Sequence, residues 1–160
     1  MLEAELESPS LLEPMLAAQI PADWPPGEYD RGAIEFLLAQ LTASWPQKDG
    51  WLAWYAIKNA DDVYPAVLVG AGGYYGPPDA HHRVEIGFSI SQVWQGNGYA
   101  TEMAGALLWR AAQSGLVQHV IAHTLPVNQA SMRVLQKCGF VPTAPDEPDL
   151  LAFEYAVSPE

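Results

Sequence analysis

At Val93 the hydrophobic period of this chain changes, and that change limits the possible folds more than any other feature. Upstream, Trp51 to Lys58, Val63 to Tyr75 and Arg83 to Ser91 are rich in aromatic and apolar residues. Such runs, bounded by turn residues, make strands. The turns Asn59-Ala60-Asp61-Asp62 and Gly76-Pro77-Pro78-Asp79 are short enough to join them as consecutive antiparallel neighbours. Downstream, from Gly98 to Ser114, the residues Ala100, Met103, Ala104, Leu107 and Ala111 recur at helical spacing, with Gly115 as a C-terminal stop. A strand therefore passes into a helix through Val93-Trp94-Gln95-Gly96-Asn97-Gly98-Tyr99-Ala100-Thr101.

The rest of the chain builds on this junction. Leu2 to Ile20, interrupted by Pro9 and Pro14, reads as a short strand and a short helix, and Pro21 to Gly27 is a loop. Arg31 to Ser44 is an amphipathic helix carrying Ile34, Leu37, Leu38 and Leu41 on one face. After the junction helix come a strand at Gln118 to Thr124 and a helix at Asn128 to Lys137, with Asn128 as N-cap and Gly139 beyond its end. Phe140-Val141 and Leu150 to Val157 supply the last strands. The order strands, helix, strand, helix, strands predicts an α+β fold with helices on the faces of one sheet. With 160 residues, no internal repeat and no linker, residues 1–160 read as one domain.

Charge narrows the partners. The net charge is −12, and Glu3, Glu5, Glu7, Glu13, Asp23, Glu28 and Asp30 crowd the first thirty residues. Nucleic acid and anionic membranes are bound by neutralising phosphates, so neither is an expected partner. An amine or basic peptide is attracted by such a field, which also keeps a protein soluble. No apolar run approaches the roughly 20 residues that span a bilayer. The lone Cys138 allows no internal disulfide, and nothing basic precedes Arg31, so a cytoplasmic protein is expected. His81, His82, His119 and His123 show no metal-ligand spacing with Cys138 or a carboxylate pair, so no metal is expected.

The junction has chemical meaning of its own. The first turn of a helix carries N–H groups without intrahelical acceptors, and its dipole favours negative charge. Glycines at that point let a phosphate approach the backbone closely. The loop lacks the lysine of a P-loop and the spacing of a dinucleotide fold, which disfavours a nucleoside-triphosphate or dinucleotide ligand.

Two stretches resemble the GNAT superfamily of acetyl-coenzyme A-dependent N-acetyltransferases, in particular its RimJ/RimL-like branch. Gln95-x-x-Gly98-x-Ala100 is similar to the (Gln/Arg)-x-x-Gly-x-(Gly/Ala) pattern that binds the coenzyme A pyrophosphate in that family. Asn128 to Phe140, with Ser131, Gly139 and Phe140, resembles the family's Asn-x-x-(Ala/Ser)…Gly-Phe helix, and Val120-Ile121-Ala122-His123-Thr124-Leu125-Pro126-Val127-Asn128 leading into it looks like the RimJ/RimL version. The resemblance implies a mixed, mainly antiparallel sheet of about six to seven strands, splayed at the strand before the phosphate loop. It implies acetyl-CoA as co-substrate, held by Gln95, Gly96, Asn97, Gly98, Tyr99, Ala100, Thr101 and Asn128 and by the backbone near Phe88 and Ile90. One of the latter N–H groups would receive the thioester carbonyl, where charge grows during attack.

The resemblance also implies an amine acceptor, either a small molecule or a peptide N-terminus, and allows a homodimer. Its acceptor regions correspond here to Trp24 to Trp45 and the loop Pro142 to Asp149. Where many family members carry an acid tyrosine, this chain has Leu135, so Ser131 is the acid candidate. Glu85 is the base candidate, one residue out of the usual register. The missing tyrosine and shifted glutamate leave open a second reading, a coenzyme A-binding regulatory domain without catalysis.

Overall fold

The computed structural model describes residues 1–44, 50–145 and 147–158. Strands β1 (Ala53–Lys58), β2 (Val67–Tyr74), β3 (Arg83–Ile90), β4 (His119–Thr124), β5 (Val141–Thr143) and β6 (Leu151–Ala156) form one sheet in the order β1-β2-β3-β4-β6-β5. The three expected consecutive strands pair antiparallel, β1 with β2 and β2 with β3. Only β3 and β4 are parallel, because the crossover helix α4 (Tyr99–Gln113) lies between them in the chain. Pro142 is tolerated in β5 because β5 is an edge strand.

Helix α4 buries Met103, Ala104, Leu107 and Ala111 of the face its sequence period marks out, together with Leu108, while Ala100 at its start is only partly buried. Leu107, Leu108 and Ala111 share a core with Val84, Ile86, Val120 and Ala122 of β3 and β4. Each large aliphatic side chain removed from water there contributes about 2 kcal/mol. The Tyr74 hydroxyl donates to the Leu107 carbonyl at 2.5 Å, joining β2 to α4. Helix α5 (Gln129–Lys137) adds Leu135 to this core, and Asn128 caps it by accepting the Ser131 N–H at 3.1 Å.

The opposite face carries α1 (Leu2–Glu7), α2 (Leu12–Leu16) and α3 (Arg31–Ser44). The strand expected near the start is instead a helix, a 3₁₀ turn opened by Pro9 and a second short helix. Beyond the second helix Gln19 makes one parallel bridge with Val67. The reason lies in side-chain placement: Leu2 and Glu5 are both buried, and that spacing belongs to one helical face.

Glu5 is also a correction to the acidic field. Its carboxylate is 3% exposed and accepts from Trp24 Nε1 at 2.7 Å, the Tyr29 hydroxyl at 3.0 Å and the Tyr55 hydroxyl at 2.6 Å. Leu2, Leu12, Trp24, Tyr29, Ile34, Leu68 and Ala71 pack around it as a second core. Burial first pushes both phenols above their ordinary pKa; Tyr55 and then Glu5 add to this at Tyr29, while at Tyr55 Glu5 adds to it and the Tyr29 hydroxyl opposes it, so both remain donors. Glu5→Ala leaves three buried donors without their acceptor and should cost about 3 kcal/mol of unfolding free energy. A urea midpoint equal to wild type would show that these bonds do not hold the N-terminal segment.

Candidate functional site

The parallel pairing of β3 with β4 covers Arg83, Val84 and Glu85 and goes no further. Beyond Glu85 the strands part, as the splay expected of this sheet requires. Tyr75 N–H donates to the Glu85 carbonyl at 3.1 Å and Ser91 N–H to the Val69 carbonyl at 2.9 Å. Odd-numbered residues of β3 therefore turn their amides toward β2. Phe88 and Ile90, being even, turn theirs into the gap. The Ile90 carbonyl there accepts from Gln95 Nε2 at 3.0 Å, so Gln95 closes the end of the strand.

A cavity of about 540 Å³ opens beside the gap. One wall is the loop and first turn of α4, contributing Gln95, Gly96, Gly98, Tyr99, Ala100 and Thr101. Gly96 and Gly98 stand at φ +78° and +86°, where an L side chain is strained, and a Cβ on either would meet nothing within 4 Å. The space above them is free for a ligand to approach the backbone. Gly98 is the N-cap of α4, which leaves the amides of Tyr99, Ala100 and Thr101 without intrahelical acceptors.

The facing wall is α5, with Asn128, Ser131, Arg133 and Lys137. The chain has seven Lys and Arg against nineteen acidic residues, yet two of the seven stand on this wall. With a helix N-terminus opposite, the cavity is built for an anion. The walls are tied together where Cys138 Sγ meets the Thr101 carbonyl at 3.6 Å. Burial raises the Cys138 thiol above its usual pKa, which makes it packing rather than nucleophile.

A second cavity, of about 310 Å³, lies over the sheet beneath α3. Ala33, Phe36 and Leu37 roof it, and small residues, Ala71, Gly73 and Gly87, help line it. The Tyr75 ring lies across Gly87, where an added Cβ would come within 3.1 Å of its hydroxyl. Desolvation there raises the Tyr75 pKa, and the carboxylates of Glu85, Glu28 and Glu147 push the same way. The two cavities share Glu28, Phe88 and Ser89, so they meet at a seam beside the gap.

The expected site residues separate into groups. Phe88, Ile90, Gln95, Gly96, Gly98, Tyr99, Ala100, Thr101, Asn128 and Ser131 all line the larger cavity. Asn97 stands apart, and its Nδ2 braces the loop from within by donating to the carbonyls of Trp94 (3.0 Å) and Gln95 (3.1 Å). Glu85 lines neither cavity; its Oε1 lies 2.8 Å from His123 Nδ1, while His123 Nε2 is buried with no partner among the described residues. Leu135, where the family's tyrosine would stand, is 1% exposed in the core.

Of the expected acceptor regions, the first contributes Glu28, Tyr29 and α3, and Trp45 lies outside the described residues. Pro142 to Asp149 contributes no lining residue among those described, since Pro142 and Thr143 are taken into β5. Tyr75, His123, Arg133 and Lys137 are not among the expected site residues, and Glu28 is expected only as part of the region Trp24 to Trp45. The four-residue spacing of Arg133 and Lys137 on one helix of an acidic chain was a usable signal for that pair. Among the described residues no group of His, Cys, Asp and Glu could hold a metal, and no helix is long and apolar enough to cross a membrane.

The seam is held by Asp23, whose carboxylate accepts from Ser91 Oγ at 2.5 Å and the Gln92 N–H at 2.7 Å. Desolvation raises its pKa, but these hydrogen bonds outweigh it and hold the carboxyl below its ordinary value. The bonds therefore stabilise the protein fully above about pH 4 and are lost as the pH falls further. Asp23→Asn should destabilise the protein near neutral pH and flatten the acid limb of its stability curve. Identical acid limbs in urea titrations of the two proteins would rule out this contribution.

The geometry agrees with what other proteins show. The model of the acetyltransferase (GNAT) domain matches residues 6–141. The uncharacterized N-acetyltransferase YjdG of Bacillus subtilis is 29% identical over 131 residues, which are 70% of this chain and 76% of that one. The YncA structure from Salmonella typhimurium, which holds its cofactor acetyl-CoA, superposes with a TM-score of 0.60 at 17% identity, covering 99% of this chain and 88% of that one. A GNAT-family acetyltransferase from Bacillus anthracis superposes with a TM-score of 0.50 at 24% identity, over 56% of this chain and only 59% of its own. A GNAT match over most of the chain, on a sheet parted beside an anion cavity, means that this chain belongs to the GNAT acetyltransferase family.

Proposed function

We propose that residues 1–160 act as one catalytic domain of the RimJ/RimL-like kind, moving the acetyl group of acetyl-CoA to a primary amine in a ternary complex. The observation that carries this reading is the seam: the anion cavity and the second cavity meet at Glu28, Phe88 and Ser89, beside the open amides of β3. The amine belongs to a small molecule or a peptide N-terminus, and the lone Cys138 suits the reducing cytoplasm.

The residues fit the co-substrate. Gly96, Gly98 and the first-turn amides of α4 would hold its pyrophosphate, and Arg133 and Lys137 would balance its charge. Acetyl-CoA supplies a thioester carbon open to a nucleophile. At that carbon the amine nitrogen forms the new bond, the carbon–sulfur bond breaks, nitrogen loses a proton and the thiolate gains one. The Phe88 or Ile90 N–H would donate to the carbonyl oxygen as its charge grows. Ser131, on the wall of the anion cavity, returns the proton to sulfur. A base role for Glu85 requires an intervening water, because neither cavity reaches it.

Two measurements test these assignments. Gly98→Ala places a Cβ at φ +86°, so the loop must shift away from the phosphates. Its affinity for acetyl-CoA should fall roughly tenfold, about 1.4 kcal/mol, by calorimetry. Lys137→Ala should weaken binding and shallow its salt dependence. Wild-type affinity in both variants would sink the cradle. Ser131→Ala should lower kcat roughly 10–100-fold with acetyl-CoA affinity kept, and undiminished turnover would make Ser131 structural.

A further inference from the structure

The cavity beneath α3 offers few polar side chains to an occupant. Ala33, Phe36 and Leu37 roof it, and Ala71, Gly73 and Gly87 contribute no polar side chain. Tyr29 also lines it, but its hydroxyl is committed to Glu5 at 3.0 Å and reaches Tyr55 at 3.5 Å, so it offers only its ring. Tyr74 lines it too, with its hydroxyl committed to the Leu107 carbonyl at 2.5 Å, so three polar side chains remain, Glu28, Ser89 and Tyr75. Glu28 and Ser89 also line the anion cavity, which puts two of the three at the seam, while Tyr75 lies over Gly87 beside the apolar residues under the helix.

Size and charge then select the occupant. A cavity of about 150 Å³ lined by aliphatic and aromatic side chains accommodates benzene, and this one has about 310 Å³. That admits a ring or branched alkyl group with a short linker. A polyamine would have to bury its second ammonium against Phe36 and Leu37, because Glu28, the one charged side chain lining the cavity among the described residues, is taken by the first. A peptide would leave backbone amides unpaired on the same walls. A single nitrogen at the seam meets the Glu28 carboxylate, and the Tyr75 hydroxyl stays protonated and available as a donor.

We propose that the acceptor is a primary amine on a compact apolar body, an arylalkyl or branched alkylamine, with its nitrogen at Glu28 and its body under α3. This rests on the amine-acetylating function proposed above. The test uses the protein saturated with coenzyme A and measures binding of 2-phenylethylamine, ethylamine and spermidine by calorimetry, followed by kcat/KM for each with acetyl-CoA.

2-Phenylethylamine should bind and react at least roughly tenfold better than either comparator, because only its body fills the cavity. Phe36 is 45% exposed, so Phe36→Ala should fold normally and erase most of that preference. Ala33→Phe, which fills the cavity from the helix side, should abolish amine binding and leave coenzyme A binding intact. Glu28→Gln should weaken all three amines alike.

Equal affinities, a preference for spermidine, or a preference unmoved by Phe36→Ala would overturn the assignment while leaving the acetyl-CoA reading standing. Failure of coenzyme A itself to bind, measured first, would remove the proposed function and this acceptor with it.

Discussion

β3 and β4 share hydrogen bonds only from Arg83 to Glu85, and the functional face is arranged around what happens after that. A sheet that stayed paired would satisfy the Phe88 and Ile90 amides internally and leave them nothing to offer. Parting the strands exposes these groups at an energetic cost, since unpaired backbone polar groups are unfavourable wherever water cannot reach them. The cost is limited locally by Gln95, whose side chain takes the Ile90 carbonyl, and below the gap by the core of Val84, Ile86, Val120 and Ala122. The gap is thus held open by packing beneath it and by capping at its end.

The N-terminal segment sets the other side of the site from a distance. Glu5 holds Trp24 and Tyr29, Asp23 holds Ser91 and Gln92, and the intervening loop rests on β3, with a Gly27 Cβ position 3.4 Å from Ser89 Oγ. Glu28 sits between these anchors, so its place at the seam follows from two carboxylates that touch no ligand. A buried carboxylate is costly unless its lone pairs are filled. The three donors around Glu5 meet that condition, and they tie α1, the loop and β1 into one unit.

Much of this architecture is legible in the residues, and the exceptions have definite causes. The strand-to-helix junction, the three antiparallel strands, the α4 face and the Asn128 cap depend on local period and local hydrogen bonding, which a sequence displays directly. Helix α1 reads as a strand in the sequence because its stabilising face includes a glutamate, and an acidic residue looks solvated until its partners, nineteen to fifty positions away, are known. The individual roles of Glu28 and Tyr75 are hidden in the same way, because their meaning comes from neighbours on other elements. Glu85 was visible as a strand carboxylate, but its bond to His123 arises only because β4 returns parallel beside β3. The place of Asn97 in the loop suggests a residue that holds the co-substrate, and only the direction of its side chain shows that its amide braces the loop from inside.

The charge distribution resolves a tension in the sequence. A chain of net charge −12 ought to repel an anionic co-substrate and attract an amine at every point on its surface. At physiological salt the Debye length is about 8 Å, so scattered surface charges act weakly at a site beyond that range. What a ligand meets is set by the groups lining each cavity. On one side these are Arg133, Lys137 and the N-terminus of α4; at the seam the lining carboxylate is Glu28. Opposite local potentials therefore adjoin across β3 within one acidic molecule, and the strand that divides them also presents the amides of Phe88 and Ile90. The global charge favours encounter with a cation and solubility, whereas orientation at the seam belongs to these few side chains and to the open edge between them.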